Sequence, residues 1–146
     1  MAPVESVWGA LTDYESLGNF IPGLAENRCL SRNPKGARLL QVGEQNVALG
    51  AKFRAKVILD IQEYYDGVPM NDCCIGKLGL TDGKYPLPRG LAKAPAHDIV
   101  FRMVEGDFQD FQGVWRMQQR REQEPTSTYL SYAVYVAQMR PQDKRS

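Results

Sequence analysis

The run MVEGDFQDFQGVW, residues 103–115, sets Glu105, Asp107 and Asp110 among two phenylalanines and a tryptophan. Carboxylates this close could do two kinds of chemistry. A pair could serve as general acid and base if one sat in an apolar site that raised its pKa. Three could hold a hard cation, but the Asp/Asn spacing of a calcium loop is absent. Glu105-Gly106-Asp107 falls between two runs of period two, which is the pattern of a hairpin, with Gly106 expected to supply a positive φ. On that reading Glu105 and Asp107 are turn residues in water. Asp110 then shares an outward face with Phe108 and Gln112, opposite Phe111 and Trp115. The stretch reads as a chain reversal, and no catalytic residue and no metal ligand is assigned anywhere in the sequence.

The remaining reactive side chains are few: Cys29, the adjacent pair Cys73-Cys74, and the single histidine, His97. One histidine rules out a Cys₂His₂ zinc site. An odd cysteine count without framework spacing argues for a reducing compartment rather than a disulfide scaffold. A Cys–His nucleophile would need a base held within hydrogen-bond reach. Cys73, Cys74 and His97 instead fall in or beside residues 66–98, which hold five of the 13 glycines and four of the nine prolines with no sustained period. That stretch reads as a long, flexible surface insertion, since structureless loops of this length are uncommon in small domains.

The elements that must position any site follow from periodicity. Within 146 residues, 43% apolar and 24% charged, the chain suits one domain with one core. Its net charge of +1 gives no field drawing it to nucleic acid or an anionic membrane. No apolar run approaches the ~20 residues that span a bilayer, and no signal peptide is visible. Residues 3–11 predict a helix, with Val4, Val7, Trp8 and Leu11 on one face and Pro3 at its first position. Thr12 and Glu15 form a capping-box pattern opening a second short helix that buries Tyr14, Leu17 and Phe20 before Pro22-Gly23 stops it. Strands are expected at 27–32, 37–47 and 52–64, the first two joined by an NPKG turn at 33–36. In the third, Phe53, Ala55, Val57, Leu59 and Ile61 share one face while Lys52, Arg54, Lys56, Asp60 and Gln62 share the other, the mark of an antiparallel sheet with one wet face. Two more strands carry Ile99, Phe101 and Met103, then Phe111, Trp115 and Met117. A last one spans about 127–137, with Leu130, Tyr132, Val134 and Val136 alternating.

Four segments in order, VWGALTDYESLGNFIPGL, LLQVGEQNVALGAKFRAKVILDIQE, DIVFRMVEGDFQDFQGVWRM and TYLSYAVYV, resemble the START-like helix-grip superfamily. Within it they are most similar to the plastid and cyanobacterial branch of polyketide cyclase/dehydrase and lipid-transport proteins, related to coenzyme-Q-binding START-like domains. The resemblance implies an α+β helix-grip fold, in which a curved antiparallel sheet with two short N-terminal helices encloses an apolar cavity. It also implies that the family's first strand and long closing C-terminal helix are missing or truncated here, and that residues 66–97 form an insertion in a single domain covering 1–146.

The expected function is non-catalytic binding or transport of a hydrophobic small molecule such as a lipid, quinone, isoprenoid or polyketide. The cavity is expected to be lined by Leu40, Val42, Phe53, Val57, Leu59, Phe101, Met103, Phe111, Trp115, Tyr132 and Val134, with the Tyr132 hydroxyl and the Trp115 indole as polar handles. No cofactor and no nucleic-acid partner is expected, and transient contact with a membrane or protein stays open. The family implies a chloroplast location, and without it a cytoplasmic one. Two alternatives stand beside the carrier. A cyclase or dehydratase would need a buried acid or base with a shifted pKa. A protein docking on a ribosome or photosynthetic assembly would gain support from a contiguous basic patch including Arg54, Lys56 and Arg102.

Overall fold

Period-two alternation does most of the folding here. The computed structural model describes residues 2–46, 50–68, 95–119 and 127–137. Six strands follow one another across a single antiparallel sheet in chain order: β1 (Leu24–Asn33), β2 (Gly36–Asn46), β3 (Lys52–Tyr64), β4 (Ala96–Gly106), β5 (Phe111–Gln119) and β6 (Thr128–Val136). Ala55, Val57, Leu59 and Ile61 of β3 are all buried, as their alternation predicts, whereas Phe53 at the strand's start is 41% exposed. Register shifts between Leu24 and Glu26, Cys29 and Ser31, and Ile58 and Leu59 bend the strands, since a bulge raises local twist. The result is a curved α+β layer with a concave and a convex face.

Helix α1 (Val4–Thr12) and a 3₁₀ helix (Tyr14–Asn19) lie on the concave face. Val4, Leu11, Tyr14 and Leu17 join Leu39, Val57, Leu59, Ile61, Ile99, Phe101 and Met117 in one apolar cluster. Pro3 caps α1 rather than opening it, and its carbonyl accepts from Ser6 and Val7. The start of α1 is tied to the sheet: Val4 N–H donates to Gln119 Oε1 at 3.3 Å, and Thr128 Oγ1 donates to the Ala2 carbonyl at 2.7 Å.

Several expectations change. The capping box does not form; Thr12 Oγ1 donates to the Trp8 carbonyl at 2.8 Å instead, bonding back into its own helix. Phe20 is 59% exposed, because it follows the last 3₁₀ turn and the chain is already diverging toward Pro22-Gly23. Gly106 has no positive φ. Its lack of a side chain is needed for space, since a Cβ there would lie 2.7 Å from the Lys56 carbonyl and 2.9 Å from Val57 Cα. Nor is Asp107 a turn residue in water alone. Its N–H donates to the Lys56 carbonyl, and its Oδ2 accepts from the Lys56 N–H at 2.8 Å, which prolongs the β3–β4 ladder. Phe108 stacks on Phe111 at 5.5 Å, on the concave side rather than opposite it. Asp110 accepts from Gln112 Nε2, and its carbonyl accepts from Ala137 N–H.

The convex face is not uniformly wet. Asp98 is fully buried there, with Val100, Val114, Gln112 and Gln118. The Arg116 guanidinium grips its carboxylate with two bonds of 2.8 and 3.0 Å, and Val68 N–H donates to Oδ2 at 2.9 Å. Val68 also packs on Val100 and Val114. His97 lies on β4, its ring beside Tyr65 and Trp8 and its Nδ1 bonded to the Tyr65 carbonyl. The expectations for Cys73-Cys74 and the body of the insertion fall at 69–94, and that for a closing helix at 138–146; both lie outside the described residues.

Two substitutions test this packing with opposite signs. Gly113→Ala is expected to destabilise by about 1–3 kcal/mol, because the new Cβ would stand 2.6 Å from the Ala133 carbonyl and 2.2 Å from Phe101 Cζ. Gly9→Ala, on the exposed side of α1 with nothing within 4 Å, is expected to stabilise by about 1 kcal/mol. Urea unfolding reads both. Asp98→Asn removes the buried carboxylate charge that the Arg116 guanidinium grips, and a loss of about 3–5 kcal/mol is expected in the same assay.

Candidate ligand-binding trough

The concave face carries a run of touching aromatic rings. Trp115 lies 4.4 Å from Tyr132, Tyr132 stacks on Phe101 at 5.8 Å, and Phe101 sits 5.9 Å from Phe111. Period two on β4, β5 and β6 puts all four on one side, and Gly113 lets Phe101 lie flat across β5. Above this floor Leu11, Leu17, Ile21 and Pro22 of the N-terminal segment form a wall.

Between floor and wall are two adjoining hollows. The first, about 400 Å³, runs over Leu59, Ile61, Ile99, Phe101 and Trp115. The second, about 510 Å³, runs over Phe53, Ala55, Val57 and Phe108 toward Gly43 and Glu44. Ile21, Pro22, Gln41, Phe111 and Tyr132 border both, so the two form one trough. These sizes match the pockets that hold small organic molecules.

The structure therefore brings Phe53, Val57, Leu59, Phe101, Phe111, Trp115 and Tyr132 together along the trough. Met103 packs against the core without bordering it. Val134 lies further along β6, 41% exposed. Leu40 and Val42 do not line it: Leu39 and Gln41 take the inward positions of β2, opposite Leu59 and Val57, so their neighbours turn to the convex face. Among the lining side chains that sequence reasoning missed are Gln41, the wall residues Leu11, Leu17, Ile21 and Pro22, and Ile61, Ile99 and Phe108 on the sheet side. Gln41 could have been found as a polar residue in phase with Leu39.

Polar groups at the trough are held from behind. Tyr14, 2% exposed, donates its hydroxyl to Glu63 Oε2 and has the Arg32 guanidinium 5.6 Å above its ring. Burial, and then the Glu63 carboxylate, push the Tyr14 phenol far above its ordinary range. Burial likewise raises Tyr132. Of the three basic residues weighed for a patch, two have acidic neighbours across the ladder. Arg54 pairs with Glu44 at 3.9 Å, Arg102 stands opposite Asp60 in the ladder, and Lys56 is engaged through its backbone by Asp107.

A curved antiparallel sheet carrying short helices over an apolar hollow defines a START-like protein of the helix-grip class. The chain matches the model for polyketide cyclase / dehydrase and lipid transport proteins over residues 1–142, and it belongs to that family. The crystal structure of TTHA0849 from Thermus thermophilus superposes with a TM-score of 0.53 at 17% identity, covering 99% of this chain and 70% of that one, a likeness of fold. Among curated proteins the chain finds no match.

The Tyr14 phenol gives a pH signature. Below about pH 10 it is protonated in both folded and unfolded chains and adds no pH dependence. Above that the unfolded chain releases its proton while the folded one keeps it, so stability falls as pH rises. Tyr14→Phe is expected to flatten part of this alkaline decline, read as the urea midpoint between pH 8 and 11.

Proposed function

We propose that this protein binds and carries a hydrophobic small molecule in the concave trough, without transforming it. Family membership supports hydrophobic ligand binding. The observation that carries the finer reading is the trough itself: two connected hollows, open to the surface, floored by aromatic rings that stack on one another rather than filling the space. Burying apolar ligand surface there gains roughly 25 cal/mol per Å² before the costs of association. The two phenols on its lining hold their protons more tightly than a free tyrosine, which opposes use as a base near neutral pH and weakens them as acids.

The neutral dye Nile red is expected to bind saturably with a blue-shifted emission. Ile21→Lys, placing a charge where the hollows meet, is expected to weaken binding at least tenfold. Val104→Lys, on an exposed bulge away from the trough, is expected to leave it unchanged. Absence of saturable binding, or equal binding by both variants, contradicts the proposal.

A further inference from the structure

Gln41 stands where the two hollows meet, and its amide is oriented by a relay behind it. Asn27 donates its side-chain NH₂ to the Tyr14 carbonyl at 2.6 Å, so its Oδ1 is the end turned to Gln41. Gln41 Nε2 donates to that Oδ1 at 3.1 Å. Flipping either amide would set donor against donor or acceptor against acceptor, so the relay fixes both. The remaining polar end of Gln41 is its Oε1, an acceptor, and among the described residues none donates to it.

Tyr132 borders both hollows from four strands away. Its ring is held between Phe101 and Trp115, and its hydroxyl bonds to none of the described residues. Charge is the other half of the argument. Of the described residues lining the trough, Glu44 alone is charged; it lies at the outer end of the second hollow, paired with Lys52 at 3.4 Å and Arg54 at 3.9 Å. No described cation faces the trough. A carboxylate or phosphate entering it would lose its water without a counter-charge and would meet an acceptor, whereas a hydroxyl would find a partner.

We infer that the trough selects neutral apolar molecules bearing a hydroxyl group, whose O–H donates to Gln41 Oε1, over anionic amphiphiles of the same chain length. The inference rests on the binding reading above and names its ligand class. Displacement of Nile red from the full chain by decanol, decanoate and decyl methyl ether at neutral pH tests it. Decanol is expected to compete about tenfold better than decanoate, which is ionised, and than the ether, which accepts but does not donate. Gln41→Leu is expected to erase the preference of decanol over the ether. Tyr132→Phe, which removes a hydroxyl without a partner among the described residues and so spares the fold, is expected to keep the preference of decanol over the ether, because that preference rests on the Gln41 acceptor. Gln41→Arg is expected to raise decanoate to the level of decanol or above. Dye binding with decanoate or the ether equal to decanol in the wild type overturns the hydroxyl inference and leaves the carrier intact. Failure of the dye to bind at all overturns the carrier reading, and this inference with it.

Discussion

Phe101 lies across the bare backbone of Gly113, and the shape of the concave face follows from that contact. A Cβ at residue 113 would stand 2.2 Å from Phe101 Cζ, so the ring could not keep its present place beside any other residue. With glycine there, the ring drops against β5, Tyr132 stacks on it from β6, and Trp115 closes on Tyr132. The aromatic residues that could have filled a core therefore line a floor. The N-terminal helices contribute a wall: Leu11 and Leu17 join the buried cluster and border the first hollow.

Polar groups in this setting are few, and those of Tyr14, Asn27 and Gln41 restrain one another. Burying a polar group without a partner costs more than a made hydrogen bond returns. Tyr14 meets that demand through Glu63, Asn27 through the Tyr14 carbonyl, and Gln41 through Asn27, so a single chain of bonds runs from β3 through the 3₁₀ helix and β1 to β2. That chain ties the wall to the sheet and leaves Gln41 Oε1 with no donor among the described residues. Stability, and the ligand choice inferred above, thus draw on the same three amide and phenol groups.

The strand framework was legible because most strands bury one face, and a period-two pattern then has one phase. Residues 52–64 show this most clearly. The phase of β2 was hidden because ARLLQV carries apolar residues on both faces, so Leu40 and Val42 read as inward when Leu39 and Gln41 are. Gly106 was recognised as necessary, but for the wrong reason; the backbone that crowds it belongs to Lys56 and Val57, about fifty residues earlier, a proximity that local pattern does not encode. Nothing in the sequence singled out Asp98 or Arg116, which alternate with the inward Ile99 and Trp115. Their burial depends on the return of the chain at Val68 over the back of the sheet, which only the assembled fold supplies.

That return has a consequence for tolerance to change. Tyr65, Gly67 and Val68 on one side and Ala96, His97 and Asp98 on the other meet through backbone contact, a ring stack and the buried carboxylate, so the two ends of residues 69–94 are pinned side by side by groups outside that segment. Lengthening a loop whose ends already meet adds only about 0.6 kcal/mol of closure entropy per doubling. Anchors built from residues 65–68 and 96–98 alone need nothing from the segment between them to stay paired, which makes this pair a natural port for grafting an epitope, a reporter or a second module.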